Sequence, residues 1–205
     1  DAMRRALADA GVEHVALRRP EYPPALAEIP DPPFGLFVHG QLDSLGGDGG
    51  APLIAIVGSR RPTSAGVAFA HNLARQVAER GGIVVSGLAH GIDAAAHEGA
   101  LSVNAATVAV VGCGVDVLYP RRHQALRDRI RGRGAVVSEY WLGTTPSPWR
   151  FPARNRIVAG LADAVVVVEW GEGLVERLSQ SHLDIRLERG RDTDVRTAIW
   201  QWSRP

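Results

Sequence analysis

Apolar residues in the middle of the chain fall into five short runs that alternate with stretches of helical period. Leu53 to Val57 is the first run and stops at Gly58-Ser59. From Ser64 to Arg80, Val67, Ala70, Leu73, Ala74 and Val77 recur on one helical face, and Gly81-Gly82 ends that helix. Ile83 to Ser86 is the second run, broken by Gly87, and Ile92 to Leu101 reads as the next helix. Thr107 to Val111, Ala135 to Ser138 and Ala164 to Glu169 are the other strands, with helices over His123 to Arg131 and Arg154 to Leu161.

Strands that are apolar throughout, rather than at every second position, are buried on both faces. Their alternation with helices gives βαβ units, hence an α/β fold: a Rossmann-like, doubly wound, mostly parallel sheet with helices on both faces. In such sheets ligands sit beyond the carboxyl ends of the strands. Those ends are Gly58-Ser59-Arg60, Ser86-Gly87, Gly112-Cys113-Gly114, Ser138-Glu139 and Glu169-Trp170. Ahead of this core (residues 51–170) lies a short N-terminal extension, residues 1–50. It holds a helix-like stretch from Ala2 to Ala10, strand-like runs Val12 to Leu17 and Gly35 to His39, and a Gly- and Asp-rich loop from Asp43 to Gly50. Residues 171–205 read as a divergent tail. Leu174 to Leu187 can be taken as a helix, yet Leu183, Ile185 and Leu187 alternate as a strand does. With neither period sustained, the tail is expected to pack poorly or to be partly disordered, and Ala164 to Glu169 to lie near a sheet edge.

The chain has 205 residues, 45% hydrophobic and 22% charged, a globular balance that excludes wholesale disorder. No apolar run approaches the 18 residues of a membrane span, and no basic-then-apolar leader follows Asp1. The single cysteine, Cys113, excludes an intrachain disulfide and fits a reducing compartment. All basic side chains other than histidine are arginine. The net charge of +1 hides an asymmetry, because nine arginines lie between Arg121 and Arg156 against only Asp128 and Glu139. Such a segment is either the footprint of a polyanion binder or a helix with a solvated arginine face.

Three segments carry candidate chemistry. Gly58-Ser59-Arg60 is a strand-to-helix turn in which glycine allows close backbone approach to an anion, Ser59 offers a hydroxyl and Arg60 a forked guanidinium. A tight turn with a surface arginine is the plainer alternative. It is neither G-x-G-x-x-G nor a P-loop with its lysine. Ser86-Gly87-Leu88-Ala89-His90-Gly91-Ile92-Asp93 repeats the design, with Gly87 and Gly91 exposing backbone amides and Asp93 in the first helical turn. His97 follows Asp93 at i+4, so one helix face could hold an Asp–His pair, and His90, Asp93 and His97 are a weak candidate metal set. Phe151-Pro152-Ala153-Arg154-Asn155-Arg156 opens a helix with two arginines flanking Asn155, while Trp149 and Phe151 supply faces for base stacking or simply for core packing. There is no G-x-S-x-G nucleophile elbow, and Cys113 between two glycines reads as a small buried thiol.

Taken in order, these pieces resemble the Rossmann-type domain of the DNA-processing protein A family (DprA, also called Smf), bacterial proteins of natural transformation. The resemblance runs from Tyr22-Pro23-Pro24-Ala25-Leu26 and Asp31-Pro32-Pro33 through Ile56-Val57-Gly58-Ser59-Arg60 and Val85-Ser86-Gly87-Leu88-Ala89-His90-Gly91-Ile92-Asp93. It continues through Gly112-Cys113-Gly114-Val115-Asp116, Tyr119-Pro120, Ser138-Glu139 and Phe151 to Leu161. It implies a cytoplasmic protein that binds single-stranded DNA without sequence preference, protects incoming DNA and helps load the RecA recombinase. The positions matching the family's DNA pocket are Gly58, Ser59, Arg60, Ser86, Gly87, Gly91, Arg154, Asn155 and Arg156. No catalytic residue, cofactor, metal ion or membrane partner is expected.

The fold is shared with nucleotide hydrolases of the phosphoribohydrolase type, whose P-G-G-x-G-T signature is absent here. A nucleotide or ribosyl hydrolase remains the alternative function, with Glu139 and Asp93 as its only sensible carboxylates. Residues 171–205 depart from the family's pattern of a Ser/Gly-rich turn, a further helix and a strand. In the family those later elements serve self-association and recombinase contact, so homodimerisation and RecA loading are the expectations the departure weakens.

Overall fold

A computed structural model describes residues 2–45, 50–168, 182–189 and 196–203. The five apolar runs form β3 (Leu53–Gly58), β4 (Ile83–Ser86), β5 (Thr107–Val110), β6 (Ala135–Ser138) and β7 (Ala164–Val168). They run parallel in the order β6-β5-β4-β3-β7. The direction of winding therefore reverses at β3, with β4 on one side and β7 on the other. Asp163 aligns β7 with β3: its amide donates to the Leu53 carbonyl and its Oδ2 accepts from the Leu53 amide, both at 2.8 Å. Glu169 and Trp170, the end of the fifth predicted strand, lie outside the described residues.

Successive residues of each strand pack on opposite faces, as doubly covered strands must. Val85, Val108, Val110 and Val137 meet Ile157, Val158 and Leu161 of α6 (Arg150–Leu161) and Leu26 of the short α2 (Pro24–Ala27). On the other face, Ala109 and Val136 meet Leu126 and Ile130 of α5 (Gln124–Arg133), while Ile56 and Val84 meet α3 (Ser64–Glu79) and α4 (Ile92–Ser102). The helix α6 begins four residues before the expected Arg154. Pro152 falls in its first turn, where a missing N–H forfeits no intrahelical bond.

The strands of the N-terminal extension belong to the same sheet. β2 (Gly35–Gly40) pairs antiparallel with β6, with Phe37 opposite Ser138, and β1 (Glu13–Ala16) pairs antiparallel with β2. Seven strands result, and one compact unit spans Asp1–Glu169. Within the extension α1 (Ala2–Asp9) precedes β1. The Tyr22-Pro23-Pro24 segment is an anchor rather than a site, since the Tyr22 hydroxyl donates to the Pro33 carbonyl at 2.8 Å and Leu26 is fully buried. β7 closes one edge of the sheet, with Val165 46% exposed.

The second unit, Trp170–Pro205, contains β8 (His182–Arg189) and β9 (Arg196–Ser203), paired antiparallel. The strand period is thus the one that holds over 182–187: Leu183 stands opposite Trp202, Ile185 opposite Trp200 and Leu187 opposite Ala198. Residues 174–181, where a helix was the other reading, lie outside the described residues. Among the described residues no helix is long and apolar enough to cross a membrane.

Because Leu36 of β2 is fully buried in the same cluster as Val108 and Val137, its truncation tests whether the extension is part of the domain. Leu36→Ala is expected to lower stability by about 2–5 kcal/mol in denaturant unfolding. A loss below about 0.5 kcal/mol would mark β1 and β2 as an appendage.

Candidate nucleic-acid interface

A cleft opens beyond the carboxyl ends of the central strands. Its walls are Arg60 after β3, Gly87 to His90 after β4, Val111 to Cys113 after β5, Tyr119-Pro120, and Phe151 and Arg154 from the first turns of α6. The placement follows from topology, since β3 is where the winding reverses and such a point leaves a crevice between diverging loops.

The loops are stitched together by backbone bonds. Ser59 donates its amide to the Val168 carbonyl at 3.3 Å, and its own carbonyl accepts from the Ile92 amide at 3.2 Å. Gly91, at the start of α4, has φ 85°, and a Cβ there would run into the Ser59 carbonyl and Pro62. Glycine is required on both counts. The Ser59 hydroxyl is turned onto its own loop, accepting from the Arg61 amide at 3.1 Å. Arg60 is exposed, with its guanidinium 5.7 Å from the Phe151 ring, which stacks on Tyr119 at 5.3 Å and 26°.

Arg154 is 4% exposed. Its Nη1 donates to the carbonyls of Gly87 and Val110, its Nε donates to Asn155 Oδ1 at 3.0 Å, and its Nη2 lies 3.9 Å from Asp93 Oδ2. The same Asp93 oxygen accepts from the Ala89 amide at 3.2 Å. Burial pushes the Asp93 carboxyl upward, opposed by Arg154 and by the Ala89 and Gly87 amides; burial pushes Arg154 downward, opposed by Asp93. A Cβ at residue 87 would occupy the guanidinium's space, which is why the turn carries glycine there.

Arg60, Gly87 and Arg154 therefore converge on one cleft, with Gly58, Ser59 and Gly91 directly behind its walls. Ser86 lies beneath it, fully buried, its hydroxyl donating to the Ile56 carbonyl at 2.6 Å. Arg156 is outside the lining: Nη1 and Nη2 donate to the two Glu139 oxygens at 2.7 Å each, and Nε reaches Asp31 Oδ2 at 3.0 Å.

The candidate Asp93–His97 pair does not form. Asp93 turns to Ala89 and Arg154, whereas His97 Nδ1 meets Thr107 Oγ1 at 2.8 Å. Thr107 spends its own proton on the Val84 carbonyl, so His97 is the donor, and burial lowers its pKa to about 3. Among the described residues no group of three or more His, Cys, Asp and Glu could hold a metal ion. Burial raises the Cys113 thiol to about 11, so it is no nucleophile at neutral pH. Sequence reasoning missed two features: the Tyr119–Phe151 stack and the contact of His90 with His123. The first pairs residues 32 apart and the second 33 apart, so no local spacing signals them.

Most of the basic segment is spoken for. Arg127 is buried and donates to the Val117 carbonyl, Arg129 pairs with Glu98, Arg131 with Asp128, and Arg150 lies over Tyr140 and Trp149. Arg121 and Arg122 are exposed without an ion pair among the described residues.

Removing one partner of a buried pair strands the other. Arg154→Ala is expected to cost about 3–5 kcal/mol of stability by leaving Asp93 uncompensated, and Arg60→Ala less than about 0.5 kcal/mol. Equal effects in denaturant unfolding would contradict this division between a buried support and an exposed contact.

Residues 13–173 match the family model described as DNA recombination-mediator protein A. The protein Smf of Synechocystis is 45% identical over 150 residues, 73% of this chain and 38% of that protein. The DprA structure from Streptococcus pneumoniae superposes with a TM-score of 0.72 at 39% identity, covering 81% of this chain and 58% of that one. The DNA processing protein A of Helicobacter pylori, described for its single-stranded DNA binding mode, gives a TM-score of 0.68 at 32% identity, covering 82% and 76%. This chain thus spans well under two thirds of the first two. A stretch of 44 residues, 22% of the chain, is also 70% identical to 26% of the tRNA threonylcarbamoyladenosine biosynthesis protein TsaE of Mycobacterium bovis. The match over 13–173 covers the sheet, the helices on both its faces and every wall of the cleft, and the chain belongs to the DNA recombination-mediator protein A family.

Proposed function

We propose that this chain binds single-stranded DNA by its phosphate backbone, without sequence preference, at the cleft beyond β3, β4 and β5. The observation that carries the reading is Arg60: an exposed guanidinium at the winding reversal, without an acidic partner among the described residues and beside the Phe151–Tyr119 stack. A guanidinium matches a phosphodiester and flat rings accept any base, so neither contact reads sequence. The relative from Helicobacter pylori supports the choice of single strands. The finer roles implied by the family resemblance, protecting incoming DNA and loading RecA in the cytoplasm during transformation, belong to this proposal.

Hydrolysis of a nucleotide or ribosyl bond is the weaker reading. Both oxygens of Glu139 are held by Arg156, and Asp93 is buried against Arg154 and the Ala89 amide. Neither carboxylate is available to take a proton from an attacking water.

The test is fluorescence anisotropy with labelled oligonucleotides of different composition at several salt concentrations. Arg60→Ala is expected to weaken binding by about 1–3 kcal/mol for every sequence and to reduce the logarithmic salt slope by about one. A loss restricted to one base composition would replace backbone contact with base readout.

We also infer that the tail has a separate ancestry. Outside residues 13–173 the chain has 12 residues before and 32 after, so a 44-residue stretch related to TsaE has most room at the C-terminal end. A chain ending after residue 173 is expected to keep its cooperative thermal transition and to bind oligonucleotide within about twofold of the full chain, since the family match and all the cleft walls precede the cut. Loss of the transition would make the tail a layer of the domain.

A further inference from the structure

A histidine unused by the phosphate contact above, His90, stands at the cleft wall and meets a second, His123. His90 Nδ1 lies 3.0 Å from His123 Nε2, with the rings edge to face at 4.5 Å, and His123 Nδ1 lies 3.1 Å from the Leu88 carbonyl. A carbonyl only accepts, so His123 carries its proton on Nδ1 and presents a lone pair at Nε2. His90 must then donate from Nδ1. Its other nitrogen, Nε2, is left as a bare acceptor without a partner in the described chain. The relay is anchored at a rigid point: Leu88 is buried and holds φ 57°, a conformation a branched side chain adopts only when its surroundings fix it.

We propose that His90 is a proton-operated second contact for a DNA phosphate beside Arg60: binding of the phosphodiester recruits a proton to His90 Nε2, turning a bare acceptor into a cationic donor. This rests on the reading of the cleft as a backbone-binding site. The proton adds at the free nitrogen, so the bond to His123 and the bond from His123 to Leu88 survive unchanged. No group has to move.

The surrounding charges set the sign. Arg60 from the loop after β3, and Arg122 and His123 from the turn leading into α5, all bear on His90, and no carboxylate does. Arg154, Tyr119 and Cys113 line the same cleft, Arg154 being engaged by Asp93. Desolvation first, then those neighbours, lower the pKa of His90 from its usual value, so the free protein holds it neutral at pH 7. A bound phosphodiester supplies the negative charge that the cleft lacks and raises that pKa. The complex then binds more protons than the free protein, and affinity must rise as pH falls through the interval between the two values.

The experiment is anisotropy of a labelled oligothymidylate against the full chain at pH 5.5, 6.5 and 7.5 and fixed ionic strength. Thymine and the phosphodiester do not titrate in this range, so the protein supplies the slope. Wild-type affinity is expected to rise about 3–10-fold from pH 7.5 to 5.5, within the limit of about tenfold per pH unit for one linked proton. His90→Gln and His90→Asn are expected to lose most of that rise, and His123→Phe, which removes the acceptor of the relay, to reduce it. Calorimetry in two buffers of different ionisation enthalpy should register proton uptake on binding by the wild type and little by His90→Gln. Equal pH slopes for wild type and both His90 variants would overturn the proposal while leaving backbone binding intact. Absence of binding at every pH, or binding indifferent to Arg60→Ala, would overturn the reading of the cleft and the proposal with it.

Discussion

The cleft is organised around one desolvated guanidinium. A charge taken out of water is tolerable only when hydrogen bonds and an opposite charge replace its solvation. Arg154 finds these in the carbonyls of Gly87 and Val110, in Asn155 and in Asp93, groups that belong to β4, β5, α4 and α6 or their ends. Position 87 has no room for a side chain because the guanidinium fills it. Asp93, needed as counter-charge, also takes the Ala89 amide. With both ends of the turn held, Leu88 is fixed in its left-handed conformation, and its carbonyl becomes the anchor for His123. Arg154, which lines the cleft, is thus also the support that shapes its wall.

The same burial redistributes charge. Seven of the nine arginines between residues 121 and 156 are directed to carbonyls, acids, an amide or aromatic rings of the chain itself. Exposed and without an ion pair among the described residues are Arg121 and Arg122 in this segment, and Arg60 and Arg61 in the loop after β3. On the proposed reading, a few cations would neutralise a few phosphates and release correspondingly few counterions, giving a short footprint with modest salt dependence. Under that proposal, stacking on Phe151 and Tyr119, which lie against each other beside Arg60, would take a larger share of the binding energy than the raw count of arginines suggests.

The central parallel strands were legible because strands covered on both faces must be apolar at every position, a pattern that survives in runs as short as Ala135 to Ser138, and β7 keeps the same apolar run although Ala164 and Val165 are exposed at the sheet edge. The strands of the extension were legible too, but not their partner: nothing local in Gly35 to His39 says that Phe37 will lie opposite Ser138, a hundred residues on. The loop glycines lie at the carboxyl end of the sheet, where the cleft opens. Arg154 and Arg156 read identically in sequence, each beside Asn155 in one helix, yet one is buried under the turn and the other is clamped by Glu139 and Asp31. Helical phase separates them, and the choice of partner depends on loops far off in sequence. In the tail, the alternation of Leu183, Ile185 and Leu187 was the correct local signal, and it competed with a helical period only because Leu174 and its neighbours were read together with it.

The last residue of β7, Val168, bears on the cleft through a backbone contact with the loop after β3. β7 pairs along β3 from Ile54 opposite Ala164 to Gly58 opposite Val168, and the Val168 carbonyl accepts from Ser59. Gly58 is tight against that carbonyl, so the position of β7's last residue sets the exit angle of the loop bearing Arg60. Ser59 passes the constraint on to α4 through its bond with Ile92, and α4 carries Asp93 to Arg154. The chain of contacts thus runs from Val168 through Ser59 and Ile92 to Asp93 and Arg154. Each of these bonds lies within residues 58–168, and a shift of β7 by one residue along β3 would turn its side chains to the opposite faces and move Arg60 with them.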